Sequence, residues 1–122
     1  MELGNFSVSL SVADLHKSME FYGKLGFVQR GGNIDENWVV LRNGDTIIGL
    51  FQGMFEGNMM TFNPGWDRDA QTLPEFTDVR EIQAELEASG VELTQRAEPG
   101  SGPGFLSLVD PDGNVILIDQ HV

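Results

Sequence analysis

The chain has 122 residues, the size of one small domain, and its 19 acidic and 7 basic side chains give a formal net charge of −12 at pH 7. This acidic balance keeps a protein soluble and suits a cationic ligand, but it excludes nucleic acid as a partner because phosphate backbones are bound chiefly by Lys and Arg. Since the chain contains no cysteine, disulfides, thiolate metal sites and cysteine nucleophiles are also excluded.

Residues 6–28 change their hydrophobic period and predict a strand followed by a helix. Apolar residues first alternate with serines, which is the two-residue period of a half-buried strand. After Asp14 the apolar positions recur at helical spacing, and the carboxylate of Asp14 is suited to cap a helix N-terminus. Gly26 is expected to end this helix, because glycine tolerates a positive φ.

The second half of the chain repeats this plan. Asp78 is followed three residues later by Glu81, the spacing of a capping box, and an apolar stripe at helical spacing follows. Gly90 is expected to end this second helix. The recurrence predicts an internal duplication.

Each predicted helix is followed by two apolar runs joined by a tight turn, at Asn43-Gly44 in the first copy and at residues 110–113 in the second. A short strand is also expected at residues 91–93. The predicted fold is α+β, with two tandem βαβββ modules at about 1–56 and about 57–122. They form a curved mixed sheet around a cleft, with the helices on the outer face.

Two features bear on a binding surface. Gly49 lies in the middle of a predicted strand, where a missing side chain leaves room for a close approach to the backbone. Residues 63–77 form a long loop, and its Trp66 either anchors the loop to the core or covers a pocket and stacks on a ligand. The aromatic side chains available either to fill the core or to form stacking walls are Trp38, Phe51, Phe62 and Trp66.

Four segments carry a family resemblance: FSVSLSVADLHKSMEFYGKLGF, WVVLRNGDTIIGLF, DVREIQAELEASGVEL and FLSLVDPDGNVILIDQ. Together they resemble the vicinal oxygen chelate superfamily, which includes glyoxalases, extradiol dioxygenases and bleomycin-resistance proteins. The likeness runs over nearly the whole chain. The pairing of F-Y-x-x-L-G-F with D-P-D-G-N is specific for the superfamily but not for one activity within it. The resemblance implies a homodimer.

The resemblance also implies where a metal would be held. Enzymes of that superfamily bind one divalent metal through His, Glu or Gln side chains from the first and last strands of each module. In this chain the matching positions are Ser7, Gly49, Met60 or Thr61, and Leu117. None is a usual ligand for such metals. Metal-dependent lyase or dioxygenase activity is therefore suggested by the family but not by these residues, and we expect no cofactor.

The leading interpretation is a small-molecule-binding protein similar in plan to the bleomycin-resistance proteins. A cleft lined by small side chains, some apolar and some weakly polar, suits a small organic molecule that is aromatic or cationic. The residues expected to bind this ligand are Ser7, Ser9, Trp38, Gly49, Phe51, Met60, Phe62, Trp66 and Leu117.

Two alternatives remain open at this point. The first is a glyoxalase-like lyase or dioxygenase whose divalent metal is held by relocated ligands such as Gln52, Glu56 or His121. The second is a non-catalytic dimeric scaffold. If the last strand continues to His121, Asp119 and His121 share the strand face of Leu117, and such a pair can bind a metal or act as a base. The place of His121 beside the last residue favours a frayed, solvated pair.

The sequence also predicts the compartment. It lacks an apolar stretch of about 18 residues, which a membrane-spanning helix needs. Its first residues carry no basic segment followed by an apolar run, which a secretory signal needs. We therefore expect a cytoplasmic protein without a membrane partner.

Overall fold

The computed structural model describes all 122 residues. It confirms the α+β class, with seven strands in mixed pairing and two helices. The elements in chain order are β1 (Asn5–Val12), α1 (Leu15–Lys24), β2 (Val28–Asn33), a short 3₁₀ turn (Ile34–Glu36), β3 (Trp38–Asn43), β4 (Thr46–Gln52), β5 (Met59–Asn63), α2 (Val79–Ala88), β6 (Gly104–Val109) and β7 (Val115–Gln120). Neither helix has the length and apolar character needed to cross a membrane.

The chain divides into two compact units. The first unit is Ser7–Met59, and the second unit consists of Met1–Phe6 together with Met60–Val122. In the first unit the strand order is β2, β3, β4, β1. β4 is antiparallel to β3 but parallel to β1, because the chain crosses over through α1 between them.

The core of the first unit lies between α1 and one face of its strands. Leu15 of α1 is buried against Val39 and Leu50, with Leu41 and Ile48 beside them. Because successive side chains of a strand point to opposite faces, the alternate residues of β1, β3 and β4 lie on the face turned away from α1. We call this face the outer face of the first unit.

The second unit has the strand order β5, β7, β6. β6 and β7 form the predicted hairpin, in which Val109 pairs with Val115. The carboxylate of Asp110 accepts hydrogen bonds from the backbone N–H groups of Asp112 and Asn114 and so fixes the turn. The core against α2 is a separate cluster of buried residues, namely Val79, Ile82, Ala97, Leu106, Leu108 and Ile118.

Both predicted helix caps are present. The carboxylate of Asp14 accepts a hydrogen bond of 3.1 Å from the backbone N–H of Lys17. The carboxylate of Asp78 accepts one of 2.8 Å from the backbone N–H of Arg80. Each bond satisfies a donor that the first turn of a helix would otherwise leave without a partner.

A second group holds each helix N-terminus, and the sequence pattern did not indicate it. In the first unit the side-chain oxygen of Gln52 accepts from the backbone N–H of Leu15 at 2.8 Å. In the second unit the side-chain oxygen of Gln120 accepts from the backbone N–H of Val79 at 2.7 Å. Both glutamines are the last residue of a strand. The two modules therefore share this glutamine-to-helix hydrogen bond as well as the sequence pattern of a strand followed by a capped helix.

The predicted helix ends are confirmed, since Gly26 and Gly90 have φ values of +93° and +83°. The strand expected at 91–93 is wrong. This segment forms no strand, and the only pairing nearby is an isolated bridge between Gln95 and Ser107. Its apolar residues instead pack on the core of the second unit.

Candidate functional site

The outer face of the first unit brings together several of the predicted binding residues. Trp38 of β3 lies opposite Phe51 of β4, and Gly49 lies opposite both Val40 of β3 and Ser9 of β1. By strand alternation, all five residues face away from α1. Ser9 is buried, and Trp38 and Phe51 are half-buried.

Three aromatic rings form a row on this face. The rings of Trp38 and Phe51 are parallel within 4°, with centroids 6.1 Å apart. Phe55 continues the row, its centroid 5.2 Å from that of Phe51 and its plane tilted by 48°. All three side chains are half-buried. We call Trp38, Phe51 and Phe55 the aromatic row.

The space above Gly49 is occupied by the ring of Phe51. A Cβ atom built at position 49 would stand 2.6 Å from Cε2 of this ring, closer than real Cβ contacts. The missing side chain therefore leaves room for Phe51 and not for an open patch of backbone. The surface that a ligand meets here is aromatic.

The position of Phe55 is fixed from β1. The hydroxyl of Ser11 donates to the carbonyl of Phe55 at 2.8 Å, and the backbone N–H of Ser11 donates to the side-chain oxygen of Asn58 at 3.1 Å. Sequence reasoning missed both Ser11 and Phe55 as site residues. The alternating serines of β1 were the available signal, because Ser7, Ser9 and Ser11 share the outer face.

A carboxylate lies beside the aromatic row. The indole N–H of Trp38 donates to Glu36 at 3.4 Å, a long contact between exposed groups. Glu36 belongs to the 3₁₀ turn that precedes β3, and Asp35 in the same turn is also exposed. This side of the row therefore carries negative charge.

The first unit also contains a cavity of about 400 Å³ beside α1. Phe21, on α1, is 58% exposed, and its ring meets Tyr22 edge-on with centroids 5.2 Å apart. The cavity is lined by Leu10, Ser11, Val12, Lys17, Ser18, Phe21, Tyr22 and Asn58. Apart from Ser11, it shares no residue with the outer face described above.

In the second unit, the predicted binding residues take different positions. Phe62 packs against the core cluster that α2 forms with β6 and β7. Its ring centroid lies 5.0 Å from that of Phe6. Met60 alternates with the buried Thr61 along β5 and is half-buried. Leu117 lies opposite Ser107 and is also half-buried. Phe62 thus packs against the core as a partly buried side chain, which agrees with one of the two roles that the sequence allowed.

Trp66 stacks on a histidine. The indole of Trp66 and the imidazole of His121 are parallel within 5°, with centroids 4.5 Å apart. Nε2 of His121 lies 3.2 Å from the carboxylate of Asp119. His121 lies one residue beyond the end of β7 and is exposed, as expected for a solvated pair, and it also contacts the ring of Trp66 and the carboxylate of Asp119. The hydrogen bond to Asp119 raises the pKa of His121, although partial burial opposes the shift.

The main chain around Trp66 is anchored on both sides. The backbone N–H of Asn5 donates to the carbonyl of Trp66 at 3.1 Å, and Trp66 forms a bridge with Thr72. The side chain of Asn63 donates to the carbonyl of Asp119 at 3.0 Å. These contacts support the anchor role predicted for Trp66.

A family model described as the glyoxalase/bleomycin resistance protein/dioxygenase superfamily matches residues 6–118. The chain belongs to this superfamily. Solved structures with the same fold include a superfamily member from Vibrio splendidus 12B01, with 18% identity over 94% of this chain and 97% of that chain and a TM-score of 0.68.

A NAD-dependent benzaldehyde dehydrogenase from Legionella pneumophila is 17% identical over 96% of this chain and 99% of that chain, with a TM-score of 0.70. An extradiol ring-cleaving dioxygenase from B. fuscum is 24% identical over 95% of this chain and 32% of that chain, with a TM-score of 0.59. These likenesses establish the superfamily's fold. No curated protein matches the chain.

The metal positions that the superfamily resemblance implies do not fit a metal in this chain. Position 49 has no side chain and lies under the ring of Phe51, while Leu117 is apolar. Ser7 and Thr61 offer only hydroxyls, which are poor ligands for the divalent transition metals. Gly49 and Leu117 occupy equivalent positions in the two modules. Gln52 lies three residues after Gly49 and Gln120 three residues after Leu117, and each glutamine accepts a hydrogen bond from the first turn of the helix in its own unit.

The residues proposed from the sequence as relocated metal ligands, Gln52, Glu56 and His121, differ in their surroundings. The side-chain oxygen of Gln52 is engaged by the backbone N–H of Leu15, and His121 is paired with Asp119. Glu56 is exposed. Nowhere in the structure do three or more His, Cys, Asp or Glu side chains come together as a set that would hold a metal ion.

Proposed function

We propose that this superfamily member binds a flat aromatic molecule with a positive charge, and that it does so without the usual metal ligands. The observation that carries the proposal is the aromatic row on the outer face of the first unit. Its rings lie on the opposite face of the strands from α1 and the core. Because the rings are half-buried, part of their surface is accessible to a ligand. Aromatic rings in such positions favour offset stacking with a planar ligand.

The preference for a positive charge rests on Glu36 and on the overall charge. Glu36 lies beside the indole of Trp38, and the chain carries a formal charge of −12. A cation over an aromatic face is attracted by the ring quadrupole, and a nearby carboxylate adds to this attraction. A planar cation satisfies both features at once.

The proposal is tested by calorimetric titration with three probes. Proflavine is a planar cation, coumarin is planar and neutral, and tetraethylammonium is a cation without a ring. We expect proflavine to bind most tightly and to raise the melting temperature by mass action on the folded state. Phe51→Ala should weaken proflavine binding by about tenfold or more, because a stacking surface is lost.

Two further variants make the test specific. Glu36→Gln should weaken the binding of proflavine more than that of coumarin. Phe21→Ala is the matched control, because it removes an exposed ring on α1 outside the aromatic row. If Phe21→Ala abolishes binding and Phe51→Ala does not, the ligand occupies the cavity beside α1 and the proposed site is wrong.

Elemental analysis of protein purified without a histidine tag or a chelator tests the enzyme alternative. About one Fe, Ni, Zn or Mn per chain would favour a metal-dependent lyase or dioxygenase with relocated ligands. Loss of the metal on changing Gln52, Glu56 or His121 to Ala would then identify them. Metal at background level would contradict the enzyme alternative.

A cytoplasmic homodimer is part of the same proposal. The first unit exposes Phe21 on α1, Leu25 at the C-cap of α1 and Val28 on β2, each at least 50% exposed. Large apolar side chains that cluster at a surface are typical of an interface with another chain. Sedimentation at micromolar concentration should give twice the mass of one chain, and a monomer mass would contradict the dimer.

A further inference from the structure

We infer that Trp66, Asp119 and His121 form a proton-accepting subsite for a ligand that carries an acidic hydroxyl group, such as a phenol or an enol. The subsite belongs to the second unit and shares no residue with the aromatic row. It is therefore independent of the proposed function and can fail or succeed separately from it.

The orientation of the imidazole is fixed from two directions. The indole of Trp66 lies parallel to it at 4.5 Å, and the carboxylate of Asp119 lies 3.2 Å from Nε2. Asp119 is itself held, since its carbonyl accepts a hydrogen bond from the side chain of Asn63. A ring that is clamped in this way keeps its second nitrogen pointing in one direction.

This second nitrogen, Nδ1, is the reactive atom of the subsite. An ionised carboxylate only accepts hydrogen bonds, so the neutral imidazole carries its hydrogen on Nε2, facing Asp119. Nδ1 then bears a lone pair that can accept a proton. The side chains of His121 and Asp119 are 45% and 32% exposed, so a ligand can reach them.

The chemistry is a single proton transfer. The ligand O–H bond breaks, its electron pair stays on oxygen as phenolate or enolate, and the proton forms a bond with Nδ1. The resulting imidazolium is stabilised by Asp119 and by the π face of Trp66. The raised pKa of His121 is consistent with this role, because it favours the protonated ring.

The loop that contains Trp66 carries three charged residues, Asp67, Arg68 and Asp69. The carboxylate of Asp67 accepts hydrogen bonds from the backbone N–H groups of Asp69 and Gln71 within the loop. Asp119 is the group that contacts the imidazole directly.

The test uses 4-nitrophenol, whose phenolate has a visible absorption band, at a pH below the pKa of the free phenol. With the wild-type protein, we expect the phenolate band to grow as the protein is added. The methyl ether 4-nitroanisole has no acidic proton, and it should bind about tenfold more weakly than the phenol. Its spectrum should not change.

His121→Gln removes the base and should abolish the phenolate band. Asp119→Asn keeps the shape of the carboxyl group but loses its charge, so the band should be weaker. Met54→Ala, which changes an exposed side chain outside the subsite, should leave the band unchanged. Circular dichroism checks that each variant is folded.

Three outcomes would overturn the inference. One is an equal phenolate band in the wild type and in His121→Gln. Another is the absence of any binding of 4-nitrophenol at millimolar concentration. The third is loss of binding in Phe51→Ala together with unchanged binding in His121→Gln, which would place the phenol on the aromatic row. Failure of proflavine to bind bears only on the proposed function.

Discussion

The ring of Phe51 lies against the backbone of Gly49, with Cε2 only 2.6 Å from the point where a Cβ atom at position 49 would stand. Glycine at this position lets the ring lie flat on the outer face of the first unit, where it stacks under Trp38. The position of the Phe51 ring in the aromatic row therefore depends on the absence of a side chain at position 49.

Gly49→Ala should destabilise the protein by about 1–3 kcal/mol, because the added methyl group collides with the Phe51 ring and forces it out of its position. Equilibrium unfolding in urea measures this change. The displaced ring should also weaken proflavine binding.

The control is the same substitution in a Phe51→Ala background. Without the ring there is no collision, and alanine is intrinsically better than glycine in a strand by about 0.5–1 kcal/mol. Gly49→Ala should then be neutral or stabilising. Equal destabilisation in both backgrounds would show that the ring is not what excludes a side chain at position 49.

Gln120→Ala should cost about 1–3 kcal/mol of unfolding free energy, because it leaves the buried N–H of Val79 without a partner. Gln120 is 1% exposed, and its amide N–H groups also donate to Asp78 and to the carbonyl of Gly102. Burial opposes ionisation of Asp78, but hydrogen bonds from Arg80 and Gln120 outweigh it and lower the pKa of Asp78.

Gln52→Ala is the matched comparison. It removes the equivalent bond to Leu15 in the first unit, where the contact is only partly buried. Water can replace part of this bond, so the loss should be about 1 kcal/mol or less. If Gln52→Ala costs more than Gln120→Ala in urea unfolding, burial does not decide the strength of these contacts.

The parts of the fold that local pattern controls could be predicted from the sequence. The caps at Asp14 and Asp78 and the ends at Gly26 and Gly90 each depend on a few neighbouring residues. The shared outer face followed from strand alternation. The strand expected at 91–93 failed because pairing depends on a partner, and only the bridge between Gln95 and Ser107 forms nearby.

The details of the candidate site could not be predicted, because they join residues that are far apart in the chain. Trp66 and His121 are brought together only by the fold, and so are Gln120 and Val79. Gly49 was correctly singled out as unusual, but only the structure shows that Phe51 fills its space.

His121 should make stability depend on pH with a definite sign. Its folded pKa is raised above the ordinary value of 6.5, so its stabilisation is complete below that value and is lost as the pH rises through the folded pKa. The wild type should therefore lose stability relative to His121→Gln between about pH 5.5 and about pH 8.5. Because the pair is half-exposed and screened by solvent, the change should stay below about 1 kcal/mol.

Urea unfolding of both proteins at the two pH values measures this difference. Asp119→Asn provides the control, since without the carboxylate the pKa of His121 has no reason to be raised by this pair. A wild type that gains stability relative to His121→Gln as the pH rises would contradict the assigned direction.

Gly65→Ala should release the stack between Trp66 and His121. Gly65 has a φ of +95°, and an added Cβ would stand 2.6 Å from the side chain of Val122 and 3.4 Å from the ring of Phe76. Both the backbone strain and the contact disfavour alanine, and we expect a loss of about 1–3 kcal/mol. Quenching of Trp fluorescence by the protonated imidazole should also decrease.

The comparison with Gly90→Ala separates the two causes. Gly90 has a φ of +83°, but an added Cβ would meet no atom within 4 Å. Its substitution therefore reports backbone strain alone, and it should leave Trp fluorescence unchanged. If Gly65→Ala costs no more than Gly90→Ala, crowding of the added Cβ against Val122 and Phe76 contributes nothing to the loss of stability. The position of Trp66 would then depend on the hydrogen bonds from Asn5 and Asn63.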